Sequence, residues 1–194
     1  MILYTLGSFQ FFAPKLYQHY DVTMQAIHGH YPDIKQNFSN SIYPATTFNL
    51  GPKVACFDHV DRANLFNGIC AITGLGTYNP KTGGHIVLWD LKMIIEFPPG
   101  STILIPSATL RHSNIPIQAG ETRYSMTQYA AGGLFRTVKY GFRTAEQLKI
   151  SNKALLQKLD EEERSRWLDG LGMFSKLNSL HSDRMSVFNA QHSA

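Results

Sequence analysis

Hydrophobic and polar residues alternate differently in three stretches of the chain. The first stretch follows Pro14, a residue type favoured in the first turn of a helix. Large apolar residues recur there at helical spacing: Leu16, Tyr20, Met24 and Ile27. Gly29 and Pro32 then supply the residue types that end helices. This stretch predicts one amphipathic helix.

The second stretch, residues 40–135, is dense in β-branched and aromatic residues. Its segments with strand composition are ATTFNL, ICAITGL, HIVLWDL, MIIEF, STILIP and TRYSMTQYA. Between them lie NPKTGG, PPG and QAGE, whose glycine, proline and asparagine residues favour turns. Many short strands at close spacing predict a β-sandwich or barrel, including the jelly-roll type.

The third stretch begins at Thr144, which forms a capping-box pattern with Gln147. An apolar stripe follows, interrupted by the acidic run DEEE: Leu155, Leu159, Trp167, Leu168, Leu171 and Phe174. We expect one or two helices here, packed against the β core, and a loose tail over SVFNAQHSA.

These patterns predict an α+β protein. At 194 residues the chain suits one domain, residues 1–194. Within it we expect an N-terminal helical flank over 1–39, a β core over 40–136 and a C-terminal helical flank over 144–185. The sequence does not indicate an oligomeric state.

Composition narrows the class of protein. Hydrophobic residues make up 43% and charged residues 16%, as in soluble globular proteins. No apolar run approaches the roughly 18 residues of a membrane span. The apolar start MILYTLGSFQFFAP lacks a basic region and a cleavage site, so we do not expect a signal peptide, and an excised fragment stays possible. With only Cys56 and Cys70, we expect a reducing, intracellular compartment and no cysteine-built zinc site.

The net charge of +4 is concentrated in the middle of the chain. Residues 51–144 carry nine Lys and Arg against five Asp and Glu, whereas the flanks carry nine of each. A basic core is compatible with a polyanionic partner, and it is equally compatible with an ordinary solubilising surface.

Candidate chemistry begins at His59 and Asp61 in FDHVDRANL. Two residues apart on an extended strand, both side chains project to the same face. Two histidines and one carboxylate can hold a divalent ion with open positions, so a second histidine is required. His112, just after the strand STILIPS, is the best candidate.

A second pair follows on the next predicted strand, after a turn around Gly120. Arg123 and Ser125 are again two apart and share a face. Arginine offers a planar fork for a carboxylate, and serine adds a hydroxyl donor. Each motif alone is compatible with incidental polar residues, whereas their conjunction in this order favours a binding site.

The residues in this order resemble a known family. The segments HVD, GGHIVLWD and EFPPGSTILIPSATLRHSNIPIQAGETRYSMTQY, within about residues 45–136, are similar to the Fe(II)/2-oxoglutarate-dependent dioxygenases, whose core is a double-stranded β-helix of jelly-roll type. More narrowly, FNLGPK, HVDRANL, GGHIVLWDL, FPPGSTILIPSA and TQYAAGGLFR resemble the fungal, transposon-associated branch of the TET/JBP group, which oxidises methylated bases in nucleic acid.

The resemblance implies a role for each matching residue. His59, Asp61 and His112 would hold Fe(II) as the catalytic centre. Arg123 would bind the distal carboxylate of the cosubstrate 2-oxoglutarate, with Ser125 assisting, and O2 would be consumed. The implied reaction oxidises 5-methylcytosine or N6-methyladenine and releases succinate and CO2. It implies DNA as the partner, with RNA as an alternative, a nuclear location and no membrane.

Two other function classes remain open. The same residue set also serves oxygenases that hydroxylate protein side chains or small molecules. A β-barrel binding module without catalysis is the third possibility. The larger TET enzymes carry cysteine-rich, zinc-binding parts, so contacts of this chain with nucleic acid would come from its core and helices.

Substrate contacts are expected close to the motifs, at Arg62, Asn64, Arg111, Trp89 and Phe135. Phe57 and Arg136 are further candidates for base stacking, and Lys53 is a further cation. The alternative is that the aromatic residues belong to the core and the cations are solvated. Asn64 either orients Asp61 or touches the substrate, and both interpretations stay open.

Overall fold

The computed structural model describes residues 2–36, 38, 40–163 and 166–191. The chain is an α+β protein that forms two compact units. A helical unit comprises Met1–Ile42 and Gly132–Ala194, and a β unit comprises Tyr43–Ala131. The β core was predicted over 40–136, whereas the β unit spans Tyr43–Ala131 and Gly132 begins a helix. That residues 1–194 act as a single domain stays a prediction.

The β unit contains two antiparallel sheets. Its strands are β1 (Ala45–Asn49), β2 (Cys70–Thr77), β3 (Ile86–Leu88), β4 (Met93–Ile95), β5 (Thr102–Ile105), β6 (His112–Asn114) and β7 (Thr122–Tyr129). One sheet has the order β1-β7-β2-β5, and the other has the order β4-β3-β6. Every segment predicted to be a strand contains one, and HIVLWDL contributes only its first part because a turn follows at Trp89.

Apolar side chains from both sheets pack into one core. Its buried members are Cys70, Ile72, Ile86, Leu88, Phe97 and Ile105. These residues come from β2, β3, β5 and the turn after β4. The strands therefore place one face of each sheet against the other, with alternate residues available to line a site.

The helical unit is built around a long N-terminal helix. The helices are α1 (Ile2–Phe12), α2 (Pro14–His30), α3 (Gly132–Lys139), α4 (Ala145–Ser151), α5 (Lys153–Glu163), α6 (Arg166–Gly172) and α7 (Leu180–Gln191). Helix α2 contacts α1, α3 and α7. Its predicted apolar face is confirmed, since Leu16, Tyr20, Met24 and Ile27 are all buried. None of the described helices has the length and apolarity needed to cross a membrane.

The C-terminal stretch differs from its prediction in three ways. The capping box at Thr144 is present, but four described helices follow where one or two were expected. The apolar stripe is divided between the separate helices α5 and α6, and Trp167, Leu168 and Leu171 are exposed. The tail was expected to be loose, yet α7 continues to Gln191, and the residues beyond it lie outside the described ranges.

Candidate functional site

His59 and His112 meet as partners across a backbone bridge. Each donates its backbone N–H to the carbonyl of the other, at 3.0 Å. The continuous strand predicted around His59 and Asp61 does not form, because the polar sequence DRAN turns at residues 62–63. A single bridge and a turn, rather than a strand, carry Asp61 to the same place.

The three predicted ligands come together. One ligand atom from each of His59, Asp61 and His112 lies within 4.8 Å of the other two. Nε2 of His59 and Oδ1 of Asp61 are 3.6 Å apart, and the two imidazole rings are 4.4 Å apart. Two imidazoles and one carboxylate form a donor set that suits a borderline divalent ion. These residues therefore form a group that can hold a metal.

Both imidazoles are oriented by the backbone. Nδ1 of His59 lies 2.8 Å from the carbonyl oxygen of Phe57, and Nδ1 of His112 lies 2.9 Å from that of Leu110. A carbonyl only accepts, so each Nδ1 is the protonated nitrogen and each Nε2 is left with its lone pair. Hydrogen bonds of this kind fix the tautomer and ring orientation of metal-binding histidines.

The Asp61 carboxylate is oriented from its other side. Nδ2 of Asn64 donates to Oδ2 of Asp61 at 3.3 Å and contacts Oγ of Ser107 at 3.2 Å. The backbone N–H of Asp61 donates to the carbonyl of Ser107 at 2.9 Å. Oδ1 therefore remains available beside the histidines, and Asn64 has an orienting contact with Asp61.

Burial favours the uncharged forms of His112 and Cys70. Burial lowers the pKa of His112 below its usual range, although the Leu110 carbonyl and Asp61 act in the opposite direction. A neutral imidazole is the form that binds a metal. Burial also raises the pKa of the Cys70 thiol to about 12, so this thiol stays protonated.

Strand β7 presents a second group of side chains to the same region. Arg123, Ser125, Thr127 and Tyr129 alternate along the strand and line one cavity. Met126 and Gln128 alternate with these residues along β7. Both are buried, and neither lines the cavity. The predicted shared face of Arg123 and Ser125 is therefore present.

Arg123 is buried without a carboxylate partner. Its side chain is 2% exposed, and one of its terminal nitrogens donates to the Val54 carbonyl at 3.1 Å. Its Nε has no hydrogen-bond partner, and no ion pair joins it to a carboxylate in the described ranges. A buried guanidinium is costly unless an anion compensates it. The geometry therefore suits an acidic ligand that supplies the missing partner.

The Ser125 hydroxyl lines the same cavity as Arg123 and is held by Asn49. Nδ2 of Asn49 on β1 donates to Oγ of Ser125 at 2.9 Å, so the hydroxyl keeps its own proton for a further acceptor. Strand β1 pairs with β7 in a register that places Asn49 opposite Ser125.

A single cavity of about 450 Å³ joins the two groups. Its polar lining includes His59, Asp61, His112, Arg123, Ser125 and Asn114. Ile72 and Ile86 contribute apolar walls from the two sheets. The cavity thus offers a cluster of metal-ligand atoms and a buried cation to one bound molecule.

Of the five residues predicted to contact the substrate, two line the cavity. Arg62 and Asn64 line the cavity, and Arg62 is exposed. Arg111 and Trp89 lie outside its lining: the guanidinium of Arg111 is 5.5 Å from the Trp89 ring and pairs with Asp58 at 3.4 Å.

Phe135 belongs to the helical unit. It is buried in the helical unit, where its ring contacts Tyr20 at 5.1 Å and His19 at 4.9 Å. Helix α3 directs the Phe135 side chain toward these two residues, so its surroundings are those of a core residue. Arg136, on the same helix, is exposed.

Sequence reasoning missed several supporting residues. Asn49 and Ser107 act through contacts that a local pattern does not reveal. Tyr78 donates its hydroxyl to the Phe97 carbonyl at 2.6 Å and lies near Arg123. The sequence feature that could have indicated Tyr78 is Gly84, because any side chain at position 84 would overlap the Tyr78 ring.

No protein-family model and no curated protein matches the chain. Among solved structures, NgTET1 in complex with 5mC DNA is 16% identical with a TM-score of 0.44, over 66% of this chain and 52% of that chain. The viral collagen prolyl hydroxylase vCPH from Paramecium bursaria Chlorella virus-1, bound to 2OG, is 16% identical with a TM-score of 0.33, over 56% and 71%. An RmlC-like cupin protein from Desulfovibrio desulfuricans is 13% identical with a TM-score of 0.28, over 50% and 95%.

The chain spans about half the length of the TET structure that it matches. At these identities and TM-scores, neither a family nor an activity of this chain follows from the likeness. The functional assignment therefore depends on the residues of the cavity.

Proposed function

We propose that this protein is an Fe(II)- and 2-oxoglutarate-dependent oxygenase that acts on a methylated base in nucleic acid. One observation carries the proposal: the buried, carboxylate-free Arg123 lines the same cavity as His59, Asp61 and His112. A ligand that requires a metal at one end and a cation at the other fits this arrangement. A dicarboxylate with a 2-oxo acid group has both properties.

The donor set fits Fe(II). His59 and His112 would bind the metal through Nε2, since each Nδ1 is committed to a backbone carbonyl. Asp61 would bind through Oδ1, with Oδ2 held by Asn64. Fe(II), 2-oxoglutarate and O2 together supply the oxidant for a substrate C–H bond, with release of succinate and CO2.

The chain's own residues would fix the cosubstrate. Arg123 would bind its distal carboxylate, because the carboxylate provides the charge partner that the buried guanidinium lacks. Ser125 would donate its hydroxyl to the same carboxylate, since Asn49 occupies an acceptor site of that oxygen. Ile72 and Ile86 would exclude water from the methylene groups between the two ends.

The order of the strands also supports the assignment to the double-stranded β-helix, or jelly-roll, class. No two neighbours in the larger sheet, β1-β7-β2-β5, are consecutive in sequence, and in the smaller sheet, β4-β3-β6, β3 pairs with the distant β6 as well as with the adjacent β4. His59 forms an isolated antiparallel bridge with His112 of β6, and so extends the smaller sheet by one residue pair in the place of a fourth strand. Chain segments that alternate between two sheets in this way are typical of a jelly roll.

We propose 5-methylcytosine or N6-methyladenine as the oxidised base and DNA as the partner, in the nucleus. The excess of positive charge in residues 51–144 and the exposed Arg62 at the cavity support a polyanionic substrate. The sequence resemblance to the TET/JBP group supports a methylated base.

The test is the iron-dependent conversion of 2-oxoglutarate to succinate by the full chain. We expect methylated oligonucleotides to stimulate it more than unmethylated ones of the same sequence. Mass spectrometry of the nucleosides then identifies the oxidised base, and matched DNA and RNA strands identify the nucleic acid. His112→Ala should abolish the conversion, whereas His85→Ala, a change outside the cavity lining, should not.

The same assay distinguishes the other function classes. Succinate formation that no oligonucleotide stimulates would favour a protein or small-molecule substrate and would contradict the nucleic-acid proposal. A complete lack of iron-dependent succinate formation would contradict the oxygenase itself and would favour a binding module.

A further inference from the structure

Phe57 is an exposed aromatic residue beside the candidate metal site. Its side chain is 94% exposed, although phenylalanine is among the residues most often buried. Along the chain it lies between Cys56 and His59, which both line the cavity, while Phe57 itself does not. The interpretation of Phe57 as a core residue is therefore wrong, and its ring lies next to the cavity without a protein partner.

The backbone around Phe57 is held in place by contacts on both sides. Asn114 accepts a hydrogen bond from the backbone N–H of Cys56 at 2.8 Å. The carbonyl of Phe57 accepts from Nδ1 of His59 at 2.8 Å, and Asp58 pairs with Arg111 at 3.4 Å. Because the main chain is fixed while the ring is bare, the position of this ring is tied to that of His59.

Two cations, Lys53 and Arg62, flank Phe57 along the chain. Arg62 is exposed at the cavity and forms no ion pair with any described carboxylate. Lys53 is also exposed. Arg111 forms an ion pair with Asp58, the residue after Phe57. An apolar ring flanked by cations is complementary to stacked bases flanked by phosphates.

We propose that Phe57 inserts into a DNA duplex and fills the gap left when the target base is rotated into the cavity. This inference rests on the proposed function and specifies its substrate as double-stranded. A stacked base cannot reach a site inside a cavity, so it must leave the helix. Apolar side chains that enter between base steps compensate part of the lost stacking.

The geometry favours insertion over a flat stacking surface. A ring that is 94% exposed has almost no protein atoms against either face, so bases can contact both faces. In a single strand there is no gap to fill, because the target base has no partner strand to leave. Phe57 should therefore matter for duplexes and not for single strands.

The test compares Phe57→Ala with the wild-type protein for binding of a methylated duplex and of its single strand, by fluorescence anisotropy. We expect duplex affinity to fall about 5- to 150-fold, the usual effect of removing one aromatic–base stack. Single-strand affinity should stay unchanged. Phe57→Trp should retain duplex binding, since it keeps a ring that can stack.

A matched control is available on β1. Phe48 is also an exposed phenylalanine, at 52%, but it lies on strand β1 between Thr47 and Asn49, which line the cavity, so its ring projects to the opposite face of the sheet. Phe48→Ala should therefore leave duplex affinity unchanged. A 2-aminopurine placed next to the target base provides a second readout, because its emission should rise on binding of the wild-type protein and not of Phe57→Ala.

The outcomes separate this inference from the proposed function. Unchanged duplex affinity of Phe57→Ala would overturn the inference, and an equal loss for duplex and single strand would overturn the duplex assignment. The wild-type protein tests the proposed function separately: if it forms no succinate from 2-oxoglutarate with Fe(II), with or without oligonucleotide, the proposed function fails, whatever the binding data show.

Discussion

His59 and His112 are joined by two backbone hydrogen bonds of 3.0 Å, and their rings lie 4.4 Å apart. The main chain makes this pairing, so the imidazoles are free to bind a ligand. Each ring is then turned by a carbonyl within two residues of it, at Phe57 and Leu110. The arrangement of the nitrogens is therefore set before any metal is bound.

Replacing His112 by Ala should remove metal binding and keep the fold. The backbone bridge to His59 does not require the imidazole, so we expect the free energy of unfolding to fall by only about 1 kcal/mol. Titration of Co(II) or Fe(II) into the variant, followed calorimetrically, should show no specific binding. His85→Ala is the control, and equal metal affinity of His112→Ala and wild type would contradict the site.

Replacing Arg123 by Met should separate stability from function. Without ligand, the buried guanidinium lacks a carboxylate partner, so its removal should leave the free energy of unfolding equal or higher by up to about 3 kcal/mol. The affinity for 2-oxoglutarate should fall by roughly 30-fold or more, because a buried carboxylate loses its charge partner. Urea unfolding and calorimetric titration measure the two effects.

Arg123→Lys keeps the charge but not the planar fork, so its affinity for 2-oxoglutarate should lie between those of Arg123→Met and wild type. A wild-type affinity in Arg123→Met would be incompatible with the role given to this residue.

Asn64 should affect the metal through Asp61. Removing its amide in Asn64→Ala frees Oδ2 of Asp61, and losing such an orienting contact typically weakens metal binding by about 10- to 100-fold. Ser107→Ala should have a smaller effect, since the Ser107 hydroxyl contacts Asn64 and not the carboxylate. Metal titration of both variants checks this order, and the reverse order would contradict it.

Gly84 should be needed for the packing of Tyr78. Its φ of +72° and the overlap of an added Cβ with the Tyr78 ring predict that Gly84→Ala loses about 2–5 kcal/mol of unfolding free energy. Gly100 has a φ of +87° but no described heavy atom within 4 Å of such a Cβ. Gly100→Ala should therefore lose only about 1–2 kcal/mol, and equal losses in urea unfolding would contradict the packing argument.

Six of the seven described strands lie in segments whose local composition predicts a strand. Alternation along β7 predicted that Arg123 and Ser125 share a face, and turn residues separated the strands correctly. The spacing of His59 and Asp61 suggested one face of a strand, but the polar turn that follows replaced the strand with a single bridge. The structure brings the two side chains together, but in a different backbone conformation from the predicted strand.

What local patterns missed depends on tertiary contacts. Asn49 reaches Ser125 across a sheet, 76 residues away in sequence, and no short motif contains both. Helix α3 begins with Gly132 and Gly133, residues that disfavour helices, so local patterns predict neither this helix nor the packing of Phe135 against Tyr20. The exposure of Phe57 was also unpredictable, because hydrophobicity alone indicates burial.

The most direct test measures succinate and oxidised base together, with the full chain, Fe(II), 2-oxoglutarate and a methylated DNA duplex. We predict matching amounts of the two products in the wild-type protein, and neither product in His112→Ala. Succinate without oxidised base would contradict the substrate, and the absence of iron-dependent succinate in the wild-type protein would contradict the oxygenase.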